Sequence, residues 1–284
     1  MKIAVLGLGK MGQAISERLL AGGHHLTLWN RSNGKADRLL DMGATEADTP
    51  EEAVTTAEVV ITSLASDEAV REVALGEGGI HAAIGDGTYV DCSTSSPWLS
   101  AELGDAFPRF AALPILGAPP AVRAGEATYL AGGADETVEG IRPMLGTLSE
   151  HVKCYPRPEM ASSAKLAVNL VLLSDIATLA EAFTVGRAGG LGDEELTDLL
   201  SDSAVVAPGI RNRFRAILEG SGPTWWTTEL GAKDARLATE FVDATGTTRL
   251  RVGPVLRDLY DAAAESGLRD DDVAIVARMY RSEP

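Results

Sequence analysis

The chain has 284 residues, long enough for two domains or one large α/β domain, and it can bury a core without metal or disulfide staples. The balance of 41 acidic against 25 basic residues, a formal net charge of −16, argues against a phosphate-tracking surface, makes duplex nucleic acid a poor partner, and means that an anionic small molecule must be met by local cations. The two cysteines, Cys92 and Cys154, stand in no C-x-x-C or metal-ligand spacing, which suits a reducing cytosol and argues against structural zinc.

The opening "MKIAVLGLGKMG" has an apolar run too short, and too soon broken by glycine, for a signal peptide, so a cytoplasmic protein is expected. Short apolar runs follow at 2–7, 25–30, 58–64, 88–92, 109–116, 127–133 and 151–155, with helix-period segments between most of them. That alternation predicts an α/β, doubly wound (Rossmann) domain with a parallel sheet over residues 1–158. Two prolines in "YPRPEM", residues 155–160, stop both strand and helix and place the domain boundary there. From residue 159 to 284 no strand pattern recurs, so the second domain is expected to be all-α. Its opening helix should run roughly 25 residues, about 40 Å at 1.5 Å per residue. Lys165, Asn169, Asp175 and Glu181 within the apolar stretch 162–183 argue against a membrane span.

The first βα turn carries G-x-G-x-x-G at Gly7, Gly9 and Gly12, with Leu8, Lys10 and Met11 filling the loop. The first glycine permits a tight turn, the second a close approach of backbone to pyrophosphate, and the third close helix packing, with the helix start attracting the phosphates. A dinucleotide cofactor is therefore expected, reached also from Leu64 at the end of the third apolar run. At the end of the second run an acid would accept a ribose 2′-hydroxyl, but here Asn30, Arg31 and Ser32 stand instead. Arg31 is placed to grip a 2′-phosphate, which predicts NADP(H) rather than NAD(H).

Hydride transfer to a carbonyl needs a proton donor for the developing alkoxide. None of Tyr89, Tyr129, Tyr155, Tyr260 and Tyr280 has a lysine four positions on, none of His24, His25, His81 and His151 sits in a motif with an acid, and zinc ligands are lacking. A lysine remains. In "SSAKLAVNL" Ser162, Lys165 and Asn169 fall on one helix face. Lys165 either snorkels to water from an apolar helix or is a desolvated group with a lowered pKa that delivers a proton.

Four ordered segments, spanning nearly the whole chain, resemble the β-hydroxyacid dehydrogenase family of 3-hydroxyisobutyrate dehydrogenase and glyoxylate/succinic semialdehyde reductase type, related to 6-phosphogluconate dehydrogenase. They are "GLGKMG" at Gly7 to Gly12, "DCST" at Asp91 to Thr94, Lys165 with Asn169, and "KDARLA" from Lys233. The resemblance implies that Lys165 is the general acid and that Asn169 fixes the substrate or the ammonium. It also implies that Ser93 and Thr94 bind substrate oxygens near the nicotinamide, and that Lys233 reaches the cofactor across a domain cleft. The implied reaction transfers hydride between NADPH and a small aldehyde or oxo acid, as in the pair of a semialdehyde and its 3-hydroxy acid, in a homodimer or tetramer. The family's D-A-P-V-S-G-G is matched by "ALPILGA", residues 112–118, so Leu116 replaces serine and Ala118 replaces glycine while Gly117 keeps a backbone donor. Two other readings share this plan: an imine reductase, and a non-catalytic dinucleotide-binding module.

Overall fold

The computed structural model describes residues 1–280. The chain forms two compact units, residues 1–165 and the remainder from Leu166. In the first unit, β1 (Lys2–Leu6), α1 (Lys10–Ala21), β2 (His25–Trp29), α2 (Asp37–Asp41), β3 (Thr45–Glu46), α3 (Pro50–Val54) and β4 (Val59–Thr62) come first. Then follow α4 (Asp67–Leu75), α5 (Ile80–Ala83), β5 (Thr88–Asp91), α6 (Pro97–Ala106), β6 (Phe110–Ala112), β7 (Ile115–Leu116) and α7 (Pro119–Ala124). The sheet closes with β8 (Thr128–Gly133), α8 (Asp135–Gly140), α9 (Arg142–Leu148) and β9 (Val152–Tyr155), and α10 (Pro158–Ala188) begins.

Strands β1 to β6 are mutually parallel in the order β3-β2-β1-β4-β5-β6, the doubly wound arrangement expected from the alternating apolar runs. The strands are nearly continuous in Val, Ile, Leu and Ala because both faces of a parallel sheet are covered. Ile3, Val5, Ile61 and Val90 pack on one face; Ala4, Leu6, Val60 and Tyr89 pack on the other.

Two expectations are corrected here. The run 109–116 is not one strand: β6 ends at Ala112, and β7 resumes beyond Leu113 and Pro114 on a different partner. Pro114 has no N–H to continue a ladder, although its carbonyl accepts from Leu130 N at 3.0 Å. The sheet is also not wholly parallel, since β8 runs antiparallel to both β6 and β7, and β9 is parallel to β8. The short β3 was not foreseen; it is two residues long, too short to carry a periodic signal.

The division between units falls inside α10 because its first two turns belong to the first unit's packing. Ala161 is buried in the apolar cluster around Phe110 and Leu130, and Ser162 Oγ shares a 2.6 Å hydrogen bond with Ser100 Oγ. The helix has 31 residues, longer than expected, and by length and composition alone it could cross a membrane. Its later turns instead bury Leu173, Ile176, Ala180 and Phe183 in the core of the second unit.

That second unit contains α11 (Asp193–Asp202), α12 (Phe214–Glu219), α13 (Thr228–Thr245) and α14 (Gly253–Ala263), with 3-10 turns at Pro208–Arg213 and Val273–Tyr280. As expected, no strand forms among its described residues. Its core joins Phe183, Phe214, Ile217, Tyr260 and Val276. At its centre lies a buried ion pair, Arg213 with Asp272, 7% and 3% exposed. Asp272 also accepts from the backbone N–H groups of Trp225 (3.0 Å), Trp226 (3.3 Å) and Ala274 (3.2 Å), so one carboxylate ties three chain segments together.

Candidate active site

The turn from β1 into α1 is built as the glycine spacing requires. Gly7 has φ +100°, and a Cβ there would lie 2.4 Å from Ser63 O; a Cβ on Gly12 would lie 1.9 Å from Gly7 O. Gly9 is different: a Cβ there would meet no protein atom within 4 Å, which leaves an open cradle in front of α1. The first turn of α1 carries no acidic residue, and the positive end of the helix dipole points to that cradle. The residues therefore fit a dinucleotide pyrophosphate.

Asn30 has a role the sequence did not reveal. Its Oδ1 accepts from Leu8 N at 2.9 Å, while its Nδ2 donates to Ser32 O at 2.8 Å and Ser32 Oγ at 3.0 Å. One side chain thus clips the glycine loop to the loop after β2 and shapes the turn that presents Arg31. Arg31 itself is exposed.

The loops after β4 and β5 are joined in the same way. Ser93 Oγ accepts from Leu64 N at 2.9 Å, and buried Asp91 takes hydrogen bonds from Thr62 Oγ1 (2.8 Å), Ser93 N (3.0 Å) and Ser95 Oγ (2.7 Å). Neither Ser93 nor Thr94 caps the helix that follows. That task falls to Ser96, whose Oγ accepts from Leu99 N at 3.0 Å.

Lys165 is half-buried, and its Nζ donates to the main-chain carbonyl of Ile115 at 2.6 Å. The ammonium is thereby turned toward the β7 loop of Leu116 and Gly117, not simply extended into solvent. Leu116 is half-buried against the same apolar cluster as Leu64 and Ala164. Gly117 has φ +148°, where a side chain would be strained and its Cβ would come 3.1 Å from Ala127 Cβ. Several other proton donors are less suited. Burial pushes the Tyr89, Tyr129 and Tyr260 hydroxyls and the Cys92 thiol well above their ordinary pKa values, and burial raises Tyr280 to about 12. His24, its pKa lowered by burial first and then by the N-terminal charge, is bonded to Thr147 at 2.9 Å.

In the second unit Asn169 is 4% exposed, and its Nδ2 donates to Asp234 Oδ2 at 2.7 Å. Asp234, beside Lys233 on α13, is buried at 3% exposure. Lys233 Nζ stands 3.0 Å from Asp234 Oδ1, close enough for ion pairing but off the line of a hydrogen bond.

A mostly parallel sheet with a glycine cradle at its topological switch point, followed by a lysine-bearing helix that leads into a helical unit, defines an NAD(P)-binding oxidoreductase. The family profile described as the NAD binding domain of 6-phosphogluconate dehydrogenase matches residues 2–156. That of NAD-binding of NADP-dependent 3-hydroxyisobutyrate dehydrogenase matches residues 160–280. An uncharacterized oxidoreductase of Bacillus subtilis, YfjR, is 30% identical over 98% of this chain and 99% of its own. The chloroplastic glyoxylate/succinic semialdehyde reductase 2 of Arabidopsis thaliana is 28% identical over 96% and 78%. The structure of 3-hydroxyisobutyrate dehydrogenase from Mycobacterium tuberculosis with L-serine is similar at a TM-score of 0.86, with 26% identity and 99% of both chains covered. The chain belongs to the β-hydroxyacid dehydrogenase family.

The cradle carries a prediction. Gly9→Ala meets no protein atom, so it should keep the wild-type melting temperature yet bind dinucleotide at least about tenfold more weakly, or ~1.4 kcal/mol. Gly12→Ala should lose both binding and stability. Fluorescence titration with NADPH, together with thermal melting, separates the two; a Gly9→Ala protein with wild-type affinity would move the pyrophosphate elsewhere.

Proposed function

We propose that the protein is an NADP(H)-dependent reductase of small carbonyl compounds, with Lys165 as the general acid. The observation that carries this reading is the Lys165 ammonium, half-buried and held at 2.6 Å on the Ile115 carbonyl beside the β7 loop. When bound, the nicotinamide cofactor supplies the hydride. Lys165 Nζ gives its proton to the substrate oxygen as charge develops there, and in the reverse direction it takes the proton back. Ser93 and Thr94 orient the substrate from the loop after β5, which Asp91 and the Leu64 amide hold in place. Asn169, its amide fixed by Asp234, positions the substrate or the ammonium. Lys233, steadied by the same carboxylate, is a cofactor contact in this reading. Gly7, Leu8, Gly9, Lys10, Met11 and Gly12 form the phosphate loop.

The preference for NADP(H) rests on Arg31 at the turn that Asn30 and Ser32 shape, where Asn30 stands in place of an acid at the end of β2. The NADP-dependence in the description of the second matching family profile supports it. Removing an arginine–phosphate pair costs on the order of 1.5–3 kcal/mol. Arg31→Ala should therefore raise the KM for NADPH at least about tenfold and leave that for NADH nearly unchanged. Equal losses with both cofactors would remove Arg31 from the 2′-phosphate site.

NADPH and NADH oxidation with a panel of aldehydes, oxo acids and cyclic imines tests the reaction itself. Carbonyl turnover supports the reading. Turnover of imines alone would make the protein an imine reductase, and binding of cofactor with no turnover would make it a non-catalytic module.

A further inference from the structure

The β7–α7 segment beside Lys165 offers an anionic substrate few hydrogen-bond donors and no available cation. A molecule whose oxygen reaches the Lys165 ammonium lies against the chain that follows Ile115, because Nζ is bonded to the Ile115 carbonyl. That chain reads Leu116, Gly117, Ala118, Pro119, Pro120. Leu116 presents hydrocarbon, half-buried at the edge of the cluster that also holds Leu64 and Ala164. Pro119 and Pro120 occupy the first two positions of α7, where a helix ordinarily offers two unpaired N–H groups, and proline has none. The next two, Ala121 N and Val122 N, are already spent on the Ala118 carbonyl at 2.9 and 3.2 Å. The cation of α7, Arg123, is turned to Glu17 on α1, with Nε 2.7 Å from Oε2.

A buried carboxylate needs several donors or a cation in place of its hydration shell. On this segment it would find the Gly117 and Ala118 amides, a leucine side chain and two proline rings. The arrangement is suited to a molecule with an uncharged, apolar substituent next to the reacting carbon. We infer that the substrate is an uncharged aldehyde or ketone bearing a hydrocarbon group, not an oxo acid or a carboxylated semialdehyde. The inference rests on the reading of the site as a carbonyl reductase and narrows it to a substrate class.

Succinic semialdehyde and 4-methylpentanal make a suitable pair, because an isopropyl group replaces the carboxylate at nearly equal shape. With NADPH and the full chain, kcat/KM should favour 4-methylpentanal by at least about tenfold, the penalty for a buried charge left short of donors. Equal or better turnover of succinic semialdehyde overturns the substrate class and leaves the reductase reading standing. Failure to turn over either of them or any other carbonyl compound overturns both. A Leu116→Ser, Pro119→Gly variant returns one hydroxyl and one N–H to the wall and should shift the ratio toward succinic semialdehyde by about tenfold or more. An unchanged ratio in the folded variant would remove the segment from the substrate wall. If that variant does not fold, the wild-type ratio together with Leu116→Ser alone decides the matter.

Discussion

Lys165→Met is expected to lower carbonyl reduction by about 10²–10⁴-fold, the usual worth of a positioned general acid. Methionine keeps most of the packed stem but cannot donate a proton, so the alkoxide would form with no acid beside it. Cofactor binding should change by less than about threefold, roughly 0.65 kcal/mol, because the cradle at Gly7, Gly9 and Gly12 lies on the turn from β1 and does not involve the lysine. The variant also loses the hydrogen bond to the Ile115 carbonyl, at a cost of about 1–2 kcal/mol in stability. A lysine that merely snorkels predicts the opposite pattern, with normal turnover and almost no change in stability. Single-turnover rates, NADPH titration and thermal melting on one preparation distinguish the two. Retention of more than about a tenth of the wild-type rate, measured where chemistry is rate-limiting, would leave Lys165 with a structural role only.

Asp272→Ala should destabilise the helical unit by about 3–5 kcal/mol, the cost of leaving a buried charge without its partner. Arg213 is 7% exposed and would be stranded, and the Trp225, Trp226 and Ala274 amides would each lose an acceptor. The loss should not be repaired by salt, since a desolvated pair is weakly screened. Asp272→Asn keeps one acceptor oxygen but removes the charge, so it should fall between wild type and Asp272→Ala. Denaturant melts followed by tryptophan emission would report this directly, because Trp225 and Trp226 lie at the pair and Arg213 stands over the Trp225 ring at 5.9 Å. A loss below about 1 kcal/mol for Asp272→Ala, the scale of an exposed pair, would mean that the site relaxes and admits water.

The elements were legible wherever a local pattern carries them. Apolar runs such as "KIAVL" and "EVVIT" became β1 and β4, and the change from strand to helix periodicity marked the start of the helical part. In "RFAALPIL" apolar character continues through Pro114 although the hydrogen-bond partner changes from β5 to β8. Hydrophobicity reports that a residue is buried and is silent about which strand lies alongside.

The parallel part of the sheet, the glycine cradle, the lysine-bearing helix and the departures at Leu116 and Ala118 are legible without the fold, because each is written in neighbouring residues. Only the tertiary structure decided what the polar side chains do. Lys165 meets a carbonyl 50 residues away, Asn169 meets Asp234 across 65 residues, and Asn30 takes the Leu8 amide across 22. Such pairings have no local signature, since a buried polar group must find a partner but the fold alone determines which one comes within reach.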